Sequence, residues 1–404
     1  MAGWDEHRFS PNLGGAAAGP AVPAVDYLDW YLEELAADRP YDLSQSGFAH
    51  PWDIEALTDD GGLSESLLKP DHSRLGDPRI MVADREGCEP DAVVCGHGAL
   101  QMLGLALLAV LPDPSVSLTE VERLRARTVA VEMPAFAPVA QVARLLGCQV
   151  LPFQRGPSGP TDAGPWRLDR QTLGDLLGRV SAVMLTPMQN PSGHMLDADD
   201  QRWLIEATGE AGVGIVSDEV YIDAARGSPD HSPMWRLCGH AISVNSLTKC
   251  YGLGPIRFGW GIGQPEHALR MRNGLHNIQG MLATPSLRIA ALVWPRLDEA
   301  LHRMQMHRQV NLPILRAVLE GRVDDWRPPP HGVFGCIRMP NGWPAAQALS
   351  LHGESLGLLA TPCVMFDESL TGWLRIAWGD EPAAFAASAE VLGEFLDILS
   401  RLEH

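Results

Sequence analysis

"AISVNSLTKCYGLGPIRFGWGIG", residues 241–263, runs from an apolar stretch into two hydroxyls, a lone lysine, a glycine-rich turn and an arginine. The run ahead of Lys249 begins apolar and β-branched, as a strand does, and is one of a set of such runs separated by helical patterns. In α/β proteins such a strand delivers its last residues to the carboxyl edge of a parallel sheet, where ligand sites form. Taken alone, Lys249 is either a solvated charge beside a turn or an amine held in a cleft. Its neighbours along the chain decide between the two.

Six further apolar runs share this texture. They are "AVVC" (92–95), "TVAVEM" (128–133), "QVLPF" (149–153), "AVMLT" (182–186), "GIVSD" (214–218) and "RFGWGIG" (257–263), with "AISVNS" (241–246) as the seventh strand. Helical patterns at 98–110, 137–147 and 198–210 lie between them; the last begins in the acidic "LDADDQ" and meets Gly212 as a stop. Strands alternating with helices predict an α/β fold: a mainly parallel seven-stranded sheet with helices on both faces. After residue 280 the pattern becomes helical from 284 to 320. The breaker "WRPPPHGVFG" and shorter mixed elements follow, as in a smaller α/β domain. The expected organisation is a leader at 1–25, an N-terminal segment at 26–50 packing on the small domain and the active-site entrance, a large domain at 51–283 and a small domain at 284–404. "GPSGPTDAGP" (156–165) reads as a loop.

Composition narrows the function classes. With 46% hydrophobic and 20% charged residues in 404, the chain has the make-up of a globular protein with a large core. A net charge of -19 argues against a phosphate-backbone binder, so no nucleic-acid partner is expected. The seven cysteines, odd in number and widely spaced, form no CxxC pair, so they read as mostly buried thiols of a reducing compartment, and no metal site is expected. "ALQMLGLALLAVL" (99–111) is too short to span a bilayer, and the first residues lack an apolar core long enough for a signal peptide. The expectation is a cytoplasmic protein without a membrane partner.

Polar residues collect at the predicted carboxyl ends: Asn190, Asp218, Ser246 and Lys249. In "CGHGALQ", Gly98 opens an apolar helix whose first N–H groups, near Ala99 and Leu100, offer an anion seat. Together these meet the needs of pyridoxal 5'-phosphate: a lysine for the Schiff base, a carboxylate for the ring nitrogen, phosphate donors and an aromatic cover. Asp218 suits the ring nitrogen, and Asn190 and Tyr221 the ring oxygen. Ser246, Arg257 and the turn at Gly98, Ala99 and Leu100 suit the phosphate, and Phe136 the ring face. A nicotinamide site is disfavoured because "GHGALQ" lacks GxGxxG spacing.

"SLTKCYGLGPIRFGW" resembles the lysine motif of fold-type I pyridoxal phosphate enzymes of the class I and II aminotransferase family. "NPSG" (190–193), "DEVY" (218–221), "PAF" (134–136), "PPHGVFG" (329–335) and "GWLRIAWG" (372–379) are similar to its other segments, in the same order, over about residues 40–398. The resemblance implies Lys249, Asp218 and Tyr221 as catalytic residues, Arg375 as the ligand of the substrate α-carboxylate, and a homodimer. It implies transamination between an amino acid and a 2-oxo acid through an external aldimine. "YDLSQSG" (41–47) resembles the opening of relatives that cyclise β-hydroxyarginine. That likeness sets Ser46 and Gly47, with Asn190, on the substrate side. It also keeps open β- or γ-elimination, or cyclisation, of a polar or cationic amino acid.

Two departures stand out. The family commonly sends a tyrosine from the partner subunit to the phosphate, yet residues 42–220 contain no tyrosine. "KPDHSRLGDPRI" (69–80) only loosely resembles the corresponding stretch, and His72 or Arg74 is the candidate substitute. Leu100 stands where a small hydroxyl residue is common; its backbone N–H contact survives that exchange, a side-chain one does not.

Overall fold

The computed structural model describes residues 25–37, 39–54, 56–57, 77–113, 119–157 and 166–402. A short strand β1 (Tyr41–Asp42) precedes the large sheet. That sheet comprises β2 (Val93–Gly96), β3 (Thr128–Met133), β4 (Gln149–Gly156), β5 (Arg167–Leu168), β6 (Ala182–Leu185), β7 (Gly214–Asp218), β8 (Ala241–Ser246) and β9 (Gly259–Ile262). Their order is β2-β9-β8-β7-β6-β3-β4-β5. β8, β7, β6, β3 and β4 pair in parallel, while β9 runs antiparallel between β2 and β8. All seven strands read from the sequence are present. The eighth, β5, is a two-residue antiparallel partner of β4, too short to leave a periodic signal.

The sheet is mainly parallel because its middle strands are covered on both sides. Ala182 and Met184 of β6 join Val216, Ile242 and the helices Ala99–Val110 and Pro265–Ile278 in one core cluster. Val183 and Leu185 point the other way and join Ile215, Leu173 and Leu204 beneath the helices Arg170–Leu177 and Ala198–Ala211. With both faces buried, β6 is apolar throughout, and β3, β7 and β8 are mostly apolar with a few buried polar residues such as Glu132, Ser217 and Ser243. Asp197 caps the helix Ala198–Ala211 by accepting from the Asp199 N–H, and Gly212 ends it in the left-handed region (φ 63°).

Two boundaries differ from the sequence reading. β9 begins at Gly259 rather than 257, because the turn Gly254–Ile256 closes on Arg257 in a left-handed conformation (φ 51°) that cannot extend a strand. The helical run 284–320 divides into Thr284–Val293 and Leu297–Leu319 around the turn Trp294–Arg296, where Pro295 lacks an N–H to continue the helix.

The C-terminal elements are β10 (Asp325–Trp326), β11 (Phe334–Arg338), β12 (Leu358–Leu359), β13 (Thr361–Pro362) and β14 (Trp373–Ala377). Four of them make an antiparallel sheet in the order β10-β11-β14-β13. Ile337, Leu374 and Ile376 of this sheet pack with Leu315 and Leu319 of one long helix and Leu392 and Leu396 of the helix Pro382–Arg401. β1 pairs in parallel with β12, Tyr41 opposite Leu358. Its continuation is bonded to the end of β14 and to the loop after β8: Ala377 N–H donates to Leu43 O at 2.9 Å and Phe48 N–H to Lys249 O at 2.7 Å. All seven cysteines are free thiols. Among the described residues no helix is long and apolar enough to cross a membrane.

Candidate active site

Strand register assembles the first corner of the site. Gly96 of β2 pairs with Gly259 of β9, which pairs in turn with Ser246 of β8, so three residues distant in sequence form one row at the sheet's edge. Just past Gly96 the chain turns at Gly98 (φ 80°, ψ 170°), the N-cap of the helix Ala99–Val110, with no side chain capping its N–H groups. That backbone region is essentially reserved for glycine. A Cβ on Gly259 would lie 2.9 Å from Gly98 Cα, so both glycines are needed for the close approach. The Arg257 guanidinium packs on Gly98, with Cζ 2.9 Å from where a Gly98 Cβ would stand. Its hydrogen bond is to Gly254 O at 3.2 Å, and among the described residues no carboxylate pairs with it. A cation at the positive end of a helix dipole is unfavourable unless an anion sits between them. No described side chain supplies that anion.

The second corner lies one and two strands along. Asp218 ends β7, buried, its Oδ1 accepting the Val220 N–H at 3.3 Å. Burial raises its carboxyl to about 6, against a smaller downward pull from that N–H and from Lys249. No cation pairs with it among the described residues. Lys249, partly buried, donates from Nζ to Ser46 Oγ at 2.9 Å and lies 5.8 Å from the Tyr221 ring centroid. Removal from water, then the charge of Arg375, lowers its amine to about 8 despite the opposing Asp218. Tyr221 OH also donates to Ser46 Oγ, at 2.9 Å, and burial raises its phenol. A Cβ on Gly47 would touch Lys249 Cδ at 3.6 Å, so the backbone of 46–48 lies directly on the lysine stem.

The third corner is Arg375, in the middle of β14 and 1% exposed. Nη1 donates to Asn190 Oδ1 at 2.7 Å; Nη2 donates to Ser44 O at 2.6 Å and Thr361 Oγ1 at 3.1 Å, with Tyr27 OH at 3.5 Å. Nε has no partner among the described residues, and the Phe366 ring centroid lies 5.1 Å from Cζ. A buried guanidinium held by neutral oxygens alone lacks its counter-ion. Asn190 bridges the corners, its Nδ2 donating to Tyr221 OH at 3.4 Å. Phe136, at the N-cap of the helix Ala137–Leu145, stands edge-on to Tyr27 at 5.4 Å.

The residues expected from the sequence therefore converge: Ser246, Arg257 and the Gly98 turn at one corner, Asp218, Tyr221, Lys249, Ser46 and Gly47 at the second, Asn190 and Arg375 at the third. His72 and Arg74 lie outside the described residues. Sequence reasoning missed Tyr27, Ser44 and Thr361, which hold Arg375, because no motif marks them. It also missed the buried pair Arg155–Glu132 (3.0 Å), whose Arg155 Nη1 donates to Thr186 O at 3.2 Å and Nη2 to Pro187 O at 3.0 Å, fixing the strand end before Asn190. One available signal went unused: the chain has only two lysines, Lys69 and Lys249.

Residues 88–384 match the family model described as aminotransferase class I and II. The chain belongs to that family. Capreomycidine synthase of Streptomyces vinaceus is 25% identical over 360 residues, 84% of each chain. Histidinol-phosphate aminotransferase of Sinorhizobium fredii is 24% identical over 304 residues, 74% of each. The solved structure of the PLP-dependent cyclase OrfR superposes with a TM-score of 0.74 at 22% identity, covering 96% of this chain and 99% of that one. Like its class I and II relatives, the protein is a fold-type I pyridoxal phosphate enzyme acting on an amino acid. Its three corners fit that cofactor and substrate. One is short of an anion, one holds a carboxylate without a cation beside a lysine, and one has an arginine with an unpartnered Nε.

Proposed function

We propose that this enzyme transfers an amino group from an α-amino acid to a 2-oxo acid. The observation carrying the reading is one hydrogen-bonded set that joins a lysine amine lowered to about 8 with a buried arginine that pairs with no carboxylate among the described residues: Lys249, Ser46, Tyr221, Asn190 and Arg375. Bound pyridoxal phosphate supplies an electron sink for the pair left when a bond to the substrate Cα breaks. In this reading Lys249 Nζ is the covalent attachment point. Ser246, Arg257 and the N–H groups of Ala99 and Leu100 grip the phosphate, with Gly98 keeping the turn open. Asp218 offers its carboxylate to the ring nitrogen, Asn190 and Tyr221 donate to the ring oxygen, and Phe136 covers a ring face.

Arg375 takes the substrate α-carboxylate in a forked contact, exchanging neutral acceptors for a charged one and filling the vacant position at Nε. That contact turns the substrate Cα toward Lys249. Lys249 Nζ then takes the Cα proton, and an amine titrating near 8 is available as a base close to neutral pH. Ser44 to Phe48 cross both the lysine and the arginine, keeping water from the amine during that transfer. Family membership supports a homodimer, which sedimentation at twice the chain mass checks.

A second reading is β- or γ-elimination, or cyclisation, of a polar or cationic amino acid. It is favoured by the likeness to capreomycidine synthase over 84% of both chains and to the cyclase OrfR. Incubation of the loaded enzyme with a panel of amino acids separates the two. Transamination yields one equivalent of 2-oxo acid per site and resumes only when an amino acceptor is added. Continuous turnover without an acceptor overturns it: release of ammonia with a 2-oxo acid marks elimination, and a product that keeps its amino group marks cyclisation.

A further inference from the structure

We propose that Ser46 is the positioning residue of the catalytic amine: a hydroxyl that stays hydrogen-bonded to Lys249 Nζ whether or not that nitrogen carries its extra proton. The inference rests on the reading of Lys249 as the group that takes the Cα proton. A base in that role must gain and lose a proton in place, so its partner must suit both states. Among the described residues the hydrogen-bond partner of Nζ is Ser46 Oγ at 2.9 Å, and no carboxylate is in ion-pair reach. A carboxylate there would hold the amine protonated, and a carbonyl oxygen would have nothing to donate to the neutral nitrogen.

A hydroxyl has one hydrogen and two lone pairs. One lone pair of Ser46 is taken by Tyr221 OH at 2.9 Å. The other accepts from the ammonium form of Lys249; when the amine is neutral, the serine hydrogen turns to its lone pair. In the cofactor-free protein Tyr221, whose phenol burial raises, is a donor to Ser46 and so keeps the serine hydrogen pointed at the lysine.

Ser46 is itself held from both sides. Two residues before it, Ser44 accepts at its carbonyl from Arg375 Nη2 at 2.6 Å, and its N–H donates to Asp42 Oδ1 at 2.7 Å. Two residues after it, Phe48 N–H donates to Lys249 O at 2.7 Å. Ser46 is 6% exposed, so its hydroxyl is largely withdrawn from water.

The chain's two lysines make the test direct. Full-length protein free of cofactor, labelled with lysine carrying 13C at Cε, gives two titrating signals, and Lys69→Arg assigns them. An acceptor helps the ammonium more than the neutral amine, so Ser46→Ala is expected to lower the Lys249 midpoint by about one pH unit, roughly tenfold in the protonation equilibrium. Ser46→Thr is expected to restore it. In the loaded enzyme Ser46→Ala is expected to lose kcat by roughly 10–100-fold while KM stays within about threefold, because Arg375 keeps its own partners. If Ser46→Ala does not fold, Ser46→Cys, a weaker acceptor of similar size, carries the same expectation.

An unchanged midpoint overturns the proposal, including where kcat has dropped, since a merely structural serine would lower activity without moving the titration. Lys249→Ala separates this from the underlying reading. Failure of that variant to abolish covalent cofactor attachment overturns the proposed function. Loss of attachment together with an unmoved Ser46→Ala midpoint overturns the role of Ser46 alone.

Discussion

Arg257 lays its guanidinium on Gly98, at the open end of the helix Ala99–Val110, two cationic elements in contact with no described carboxylate between them. The contact depends on the missing Cβ. Gly98→Ala would set a methyl 2.9 Å from Arg257 Cζ and place alanine at φ 80°, a strain of about 1–3 kcal/mol. We expect the variant to bind pyridoxal phosphate at least about tenfold more weakly, measured by fluorescence titration of the cofactor-free protein. Unchanged affinity would count against this corner as the phosphate seat.

Arg375→Lys keeps the charge but loses the planar fork that reaches Asn190, Ser44 and Thr361 together. The expected result is a rise of roughly 10–100-fold in KM for the amino acid, about 1.5–3 kcal/mol for a charged hydrogen bond, with cofactor absorbance retained. Steady-state kinetics alongside the spectrum decide it.

Lys249 predicts a pH dependence of a definite sign. Its folded-state amine, at about 8, lies below the ordinary lysine value of 10.5. Between those values the unfolded chain binds the extra proton and the folded chain does not, so the stability of cofactor-free protein gains from this group as pH rises through that window. Lys249→Met removes the term. It is expected to raise the melting temperature at pH 7 by roughly 1–4 °C and to do less at pH 10, as read by calorimetry.

Asp218 acts in the opposite sense. Its folded carboxyl, raised to about 6 from 3.8, costs cofactor-free protein stability as pH climbs from about 4 to 6. Asp218→Asn is expected to flatten that slope in thermal melts. In the loaded enzyme it is expected to lower kcat by roughly 100-fold or more, the scale of losing a pre-organised charge at a reacting centre.

Tyr251→Phe tests the support beneath the lysine loop. Tyr251 OH donates to Asp223 Oδ2 at 2.8 Å, which also accepts from Asn245 Nδ2 at 2.9 Å, tying the end of β8 to the loop that carries Lys249. Loss of one donor to a buried carboxylate is expected to cost about 1–3 kcal/mol, seen as a lower denaturation midpoint with an unchanged slope.

What was legible in the sequence follows from local rules. β6, β7 and β8 were readable because strands covered on both faces are mainly apolar, as in the runs Ala182–Leu185 and Gly214–Val216. Asp218, Ser246 and Lys249 were readable because a parallel sheet presents its strand ends along one edge. β5 was not, since two residues hold no period. Nor was the start of β9, because the left-handed turn at Arg257 has no glycine to announce it.

The sequence by itself determined the α/β fold and the residue types at the carboxyl edge, because both depend on side-chain polarity at fixed spacing. Only the tertiary structure decided what those residues touch. Ser46 reaches Lys249 across 203 positions, and Ser44 reaches Arg375 across 331. Both contacts exist because β1 adds to β12 and carries the following residues across the lysine loop. No spacing rule spans such distances; packing brings the groups together, and their burial strengthens the few hydrogen bonds they make.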